Sequence, residues 1–343
     1  MKFVLIITTN LLLVKASLNF LSVGDWGDTE AKTYIADIMG DYAESYNAEF
    51  VLGIGDNMYD TGVSSVDDPQ FKSKFEDTFT ADSLQVPWYI ASGNHDYYGN
   101  ISAQVAYTEK SDRWTFPDLY YKEEIKKDDI FLTLIAIDTW RLNGGDTYVA
   151  FDPKHNRGHI RDLERLQRDH ENGIVTPGTY ESITMNYQPA HLADFLVPEL
   201  ADDPDQLSQI ESWLKEANDN NSTWIIVQGH FPCYSSTTDE HGDTKSLIKN
   251  LVPLLEKYNV SVYFSGHDHV LQHISKSGVN FLGSGAGARK HDGINESYDG
   301  LVHADQSKYG FMAHKLTTTK FETVFVVSDD GKAKETYNFT IYK

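Results

Sequence analysis

The chain of 343 residues contains one cysteine, Cys233. No intramolecular disulfide can form, and Cys-rich zinc sites are excluded. Basic residues are scarce, 29 Lys and Arg against 51 Asp and Glu, for a formal net charge of −22. That balance excludes the clustered positive surface that nucleic acid or an anionic membrane requires. The N-terminal apolar run, Phe3–Val14, falls short of the about 20 residues a transmembrane helix needs. What remains is ordinary globular composition, 40% hydrophobic and 13% aromatic, which excludes collagen, coiled coil and wholesale disorder.

Lys2, the run Phe3–Val14 and the small-residue site Val14-Lys15-Ala16 read together as a signal peptide over residues 1–16. A buried first strand is the other use of such a run, and Asn19–Val23 continues as a strand. Six N-x-Ser/Thr sequons fit the secretory route as acceptors for N-glycans: Asn100, Asn220 or its neighbour Asn221, Asn259, Asn295 and Asn338. The C-terminal Phe339–Lys343 shows no apolar tail, lipid-anchor signal or retention tetrapeptide, so no membrane anchor is expected. A secreted or lysosome/vacuole-like location follows.

Short apolar runs bounded by polar residues recur at Phe20–Val23, Phe50–Ile54, Trp88–Ala91, Trp224–Val227 and Val260–Phe264, and read as buried strands. Helical stripes lie between them: Tyr34, Ile35, Ile38, Met39 and Tyr42; Leu207, Ile210, Trp213 and Leu214; and Leu247, Ile248, Leu251, Leu254 and Leu255, with Pro253 as an expected kink. Strand–helix alternation predicts an α/β fold on a largely parallel sheet, with chemistry at the carboxyl ends of the strands. Lys315–Val327 and Lys334–Ile341 flank Asp329-Asp330-Gly331 and predict an antiparallel hairpin.

Five polar words follow these strands: Gly24-Asp25-Trp26-Gly27-Asp28, Gly55-Asp56-Asn57-Met58-Tyr59, Gly93-Asn94-His95-Asp96, Gly229-His230-Phe231-Pro232 and Gly266-His267-Asp268-His269. A lone Gly-Asp is usually a turn or helix cap, and a lone buried His usually a satisfied hydrogen-bonder. Five in succession, each at a strand end, point to a site. Asp25, Asp56, Tyr59, Asn94, His230, His267 and His269 offer seven N/O donors and no sulfur. Seven exceed what one catalytic ion with an open position needs, and suit two. Two ions about 4 Å apart clamp a phosphoryl group for in-line attack. Gly283-Ser284-Gly285-Ala286-Gly287 lacks the Lys-Ser/Thr of a phosphate loop and reads as a structural strand-end loop. Cys233, three residues after His230, reads as a small buried hydrophobe.

These words resemble those of the calcineurin-like metallophosphoesterases, and among them the small purple acid phosphatases (tartrate-resistant acid phosphatase-like), over most of residues 20–140 and 205–340. Most members carry Asp-x-His in the first word; here Asp25-Trp26-Gly27 lacks that His, and Tyr59 stands three residues after Asp56 as in the purple enzymes. The resemblance implies a four-layer α/β/β/α metallophosphoesterase sandwich with two βαβ-rich halves, a single domain over 17–343 with an extended loop at 151–200. It implies Fe(III) held by Asp25, Tyr59, His269 and bridging Asp56, with Fe(II), Zn(II) or Mn(II) held by Asp56, Asn94, His230 and His267. The implied activity is that of an acid phosphatase, hydrolysing small phosphate monoesters or phosphoproteins by attack of a metal-bound hydroxide. His95 and His241 are the candidate proton donors to the leaving group. The alternatives are another dimetal phosphoesterase, a nucleotidase or protein phosphatase, or a non-enzymatic scaffold derived from the family. The stretch 146–204 carries a basic run, Lys154, Arg157, Arg161, Arg165 and Arg168. It reads as a solvated helix face or as a regulatory or substrate-steering loop, and the resemblance implies that cleavage near Arg157–Arg168 raises turnover.

Overall fold

The computed structural model describes residues 16–143, 149–152, 157–160, 171, 188–189, 206–238, 241–289 and 293–343. Residues 1–15 of the expected signal peptide and most of the 151–200 stretch lie outside the described residues, with Lys154, Arg161, Arg165 and Arg168 of its basic run; Arg157 opens a strand, not a helix.

In chain order the strands are β1 (Leu18–Val23), β2 (Phe50–Ile54), β3 (Trp88–Ala91), β4 (Trp114–Thr115), β5 (Tyr121–Lys127), β6 (Ile130–Ala136), β7 (Val149–Asp152), β8 (Arg157–Ile160), β9 (Gln188–Pro189), β10 (Trp224–Gln228), β11 (Val262–Ser265), β12 (Leu271–Lys276), β13 (Val279–Ser284), β14 (Leu301–Asp305), β15 (Gly310–Leu316), β16 (Lys320–Asp329) and β17 (Lys332–Tyr342). They form two seven-stranded sheets, β17-β16-β15-β1-β2-β3-β4 and β14-β12-β13-β11-β10-β6-β5, and a small third sheet β7-β8-β9.

The apolar runs are strands because both of their faces are buried. Phe20, Phe50, Leu52, Leu134, Ile226 and Phe264 meet between the two large sheets. Their sequence neighbours Leu21, Val51, Ile135, Ile225 and Val227 turn outward to a second core. There helix Ala36–Tyr46 packs on β1 and helix Gln206–Asp219 on β6, completing four layers.

Three expectations are corrected. The sheets are mixed: β1–β4 are mutually parallel, as are β6, β10, β11 and β13, but β15–β17, β5, β12 and β14 join antiparallel. The C-terminal hairpin forms from β16 and β17, yet Lys315 and Leu316 belong to β15, where Leu316 pairs with Leu18. The turn between β15 and β16 is closed by Thr317 N–H donating to the Lys320 carbonyl at 2.8 Å. It contains no Gly or Pro, so the sequence carries no punctuation there. Finally, Leu251 ends one helix (Lys245–Asn250) and begins the next (Val252–Lys257), a break rather than a kink. Pro253 sits in the first turn of the second helix, where its missing N–H leaves no bond unmade.

His314, on β15, is fully buried against Phe20 and Phe264. Its ring nitrogens lie 2.9 Å from Ser22 Oγ and 3.0 Å from Thr323 Oγ1. Burial pushes its pKa down to about 3. The unfolded chain therefore takes up a proton near pH 6.5 that the folded chain refuses, and stability falls as pH drops between 6.5 and about 3. From pH 7 to pH 5 this one group removes about 2 kcal/mol. We expect urea unfolding of His314→Gln to lose that much less over the same interval than the unaltered protein. Equal losses would contradict the assignment.

Candidate metal centre

Every polar word sits at the carboxyl end of a parallel strand, three on the first sheet and two on the second. The two sheets bring these ends together. The strand must be left sharply, and Asp25, Asp56 and His267 do so with φ of 57°, 52° and 69°. Asp and His tolerate this left-handed region better than most side chains. Gly93 is required for a different reason: a Cβ there would stand 2.2 Å from Asp56 Oδ1.

All nine expected residues converge. The Tyr59 hydroxyl donates to Asp25 Oδ1 at 2.9 Å and lies 3.3 Å from His269 Nε2, which is 3.4 Å from Asp25 Oδ1. Asn94 donates through Nδ2 to the Tyr98 hydroxyl, 3.1 Å, which leaves its Oδ1 3.1 Å from His267 Nδ1. His230 Nε2 stands 3.4 Å from Asp56 Oδ1 and 4.0 Å from Asp25 Oδ1. The rings of His230 and His267 are 5.2 Å apart, and that of His241 is 4.0 Å from His267. The His95 ring is 4.5 Å from that of Tyr59.

Little of this set meets water: Asp25, Asp56, Tyr59, Asn94, His230 and His267 are each at most 9% exposed. Buried ionic groups polarise one another strongly. Burial alone would raise the Asp56 carboxyl, but the imidazoles of His230 and His95 hold it well below the usual carboxylate range. Burial opposes the His230 proton, yet Asp56 and Asp25 push that imidazole up to about 10. His267 goes the other way, driven well down by burial and by the surrounding His241 and His230. Burial, with Asp25 and Asp56, raises the Tyr59 phenol well above its ordinary value.

Oxygen and nitrogen donors without a thiolate suit hard or borderline cations. Asp25, Asp56 and His230 each turn an atom into a space where all lie within 4.8 Å of one another. His230 Nδ1 is engaged by the Ile54 carbonyl at 2.9 Å, while the buried Nε2 faces the Asp56 and Asp25 carboxylates. An imidazole whose one nitrogen is fixed by a carbonyl has its ring oriented with the other toward the carboxylates, as a ligand requires. The donor set fits two cations.

Asp28, Asp96 and Asp268, all inside the motif words, escaped assignment from sequence; Asp28 accepts from Arg289 at 2.8 Å. Asp96 accepts from the backbone N–H groups of Asn57, Met58 and Gly93 at 2.8–3.2 Å, and from Gln104 Nε2 at 2.8 Å. It staples the second and third words to each other. Burial and Asp56 raise it to about 6. Asp268 lies 3.3 Å from His241 Nδ1 and accepts from Thr237 and Ser235. Asp96 and Asp268 stood in the words Gly-Asn-His-Asp and Gly-His-Asp-His, but a word does not name its partners. Gly285, in the loop after β13, packs where a Cβ would lie 2.8 Å from Asp25 Oδ2, a structural role as expected. Cys233 is buried, and burial pushes its thiol well up, which suits an inert side chain.

A sequence profile of the calcineurin-like phosphoesterase family matches residues 18–271. Tartrate-resistant acid phosphatase type 5 of Oryctolagus cuniculus is 32% identical over 96% of this chain and 94% of its own length. Purple acid phosphatase 4 of Arabidopsis thaliana is 30% identical over 90% of this chain and 80% of its own. Among solved structures, that of GAP50, the anchor in the inner membrane complex of Plasmodium, shares the fold with a TM-score of 0.71. It is 22% identical and covers 96% of this chain and 89% of its own.

The Asp96 staple yields an expectation. In Asp96→Asn one accepting oxygen becomes a donor facing backbone N–H groups, at about 3 kcal/mol. Urea unfolding at neutral pH measures it. A loss below about 0.5 kcal/mol would show that the staple is dispensable.

Proposed function

This chain belongs to the calcineurin-like phosphoesterase family, and we propose that within it the protein is an acid phosphatase that hydrolyses phosphate monoesters at a dinuclear metal site. The observation that carries this reading is the pair of buried carboxylates, Asp25 and Asp56, ringed by Tyr59, His230 and His269, with His230 Nε2 turned toward both. Fe(III) is assigned to Asp25, Tyr59, His269 and shared Asp56, because a phenolate is a hard anionic donor. The second ion, Fe(II), Zn(II) or Mn(II), is assigned to Asp56, Asn94, His230 and His267. When bound, the two cations supply an acidified water at low pH and neutralise the charge of the phosphoryl oxygens.

The chain's own residues do the remaining work. Asp25 and Asp56 must stay ionised, and the imidazoles of His230 and His95 hold Asp56 so. His95 turns Nδ1 to the Asp60 carbonyl at 2.6 Å, which fixes the hydrogen on that nitrogen and the orientation of the ring. His241 is the better proton donor to the leaving oxygen. Its Nδ1 faces Asp268, a carboxylate held low by the hydrogen bonds of His241, Ser235 and Thr237 against its burial. That partner orients the ring. The scaffold alternative gains nothing from the fold likeness to the Plasmodium anchor, since every donor position is filled here.

Small phosphate monoesters or phosphoproteins are the proposed substrates, and a secreted or lysosome/vacuole-like compartment the proposed location, with residues 1–16 as signal peptide. Among the described residues no helix is long and apolar enough to cross a membrane. Of the sequons, Asn220, Asn221, Asn259, Asn295 and Asn338 are exposed, whereas Asn100 is half-buried and caps helix Ile101–Ala106 through its Oδ1. The exposed five are the better acceptors.

The test is turnover of His241→Gln on two monoesters at acidic pH. An alkyl phosphate, whose leaving alkoxide needs a proton, should lose about 10²–10⁴-fold in kcat. An activated aryl phosphate should lose far less. Equal losses would remove His241 from the proton-donor role. Absence of any monoesterase activity in metal-replete unaltered protein would overturn the function itself.

A further inference from the structure

Arg289 is tied to the site more closely than its place in the chain suggests. It follows the loop after β13, and that loop is pinned to the first polar word: Gly287 N–H donates to the Gly24 carbonyl at 3.2 Å and Ala288 N–H to the Asp25 carbonyl at 2.9 Å. From this anchored backbone the guanidinium carbon lies 4.1 Å from the centroid of the Tyr59 ring. Its Nη2 donates to Asp28 Oδ2 at 2.8 Å and to Asp60 Oδ1 at 2.6 Å. Asp28 closes the first word and Asp60 follows Tyr59 directly, so one side chain joins three loops around a single phenol ring. The Tyr59 backbone is held as well, its carbonyl accepting from Lys74 Nζ, which Gln70 Oε1 steadies at 2.8 Å.

We propose that Arg289 is a positioning residue that tunes Tyr59 as a metal ligand by holding a cation on the face of its ring. The inference rests on the reading of Tyr59 as a ligand to Fe(III). A guanidinium stacks on an aromatic face through attraction to the electron-rich ring. The same attraction lowers the filled orbitals from which a phenolate gives charge to a ferric ion. Partners outside the ligand set tune a metal through its ligands in this way. Tying loops together would need only hydrogen bonds; a formal positive charge stacked on the ligand ring does more than that.

The test compares the unaltered iron-loaded protein with Arg289→Gln and Arg289→Lys by visible absorption and by the reduction potential of the iron. Glutamine removes the cation; lysine keeps a cation without the planar fork. The tyrosinate-to-iron band should move to longer wavelength in Arg289→Gln, and the potential should fall, because a positive charge near the iron is gone. Arg289→Lys should shift both less. A band present in the unaltered protein and unmoved in Arg289→Gln would overturn the inference alone. Equal shifts in both variants would show packing rather than charge and would also overturn it. An iron-loaded unaltered protein without the band would overturn both this inference and the Tyr59 reading beneath it.

Discussion

Two carboxylates that cannot reach water set the terms for this structure. Asp25 and Asp56 are at most 2% exposed and are backed by other buried polar groups. Charge in such a place is stable only when it is matched. Without cations the match falls to His230, whose proton is held up to about 10, while His267 stays neutral. Bound cations would complete that match. Burying this set demands two stacked sheets whose parallel strands bring their carboxyl ends together, with glycine where Asp56 approaches most closely. The architecture follows from the need to hold like charges together away from solvent.

The acidic residues around the centre divide into two kinds. Asp25 and Asp56 share a space with His230, whereas Asp96 and Asp268 are engaged by hydrogen-bond donors of the surrounding loops. Asp96 gathers backbone N–H groups of two loops, and Asp268 orients His241. Removing either kind would disturb the site, but for different reasons: the first holds charge, the second holds geometry. Arg289 adds a third relation, a cation stacked on the Tyr59 ring.

Much of this was legible in the sequence where the physics is local. Phe50–Ile54 and Trp88–Ala91 read as strands, with the observed limits, because burial on both faces makes an unbroken apolar run. The polar words stood out because each follows such a run. What was not legible depends on partners distant in the chain. The antiparallel extension of the first sheet rests on β15 pairing with β1, and the Thr-rich turn at its end carries no breaker residue. The partners of Asp96, the pairing of Asp268 with His241 and the seat of Arg289 over Tyr59 exist only once distant loops meet. Where pattern alone was used, as in the largely parallel sheet, half of each large sheet proved antiparallel.

The most direct test of the dinuclear assignment is anomalous diffraction from crystals of the protein, recorded on either side of the iron absorption edge. Two peaks are expected: one among Asp25, Tyr59 and His269 that weakens sharply below the edge, and one among Asn94, His230 and His267, with Asp56 between them. No peak, or a single peak remote from Tyr59, would contradict it.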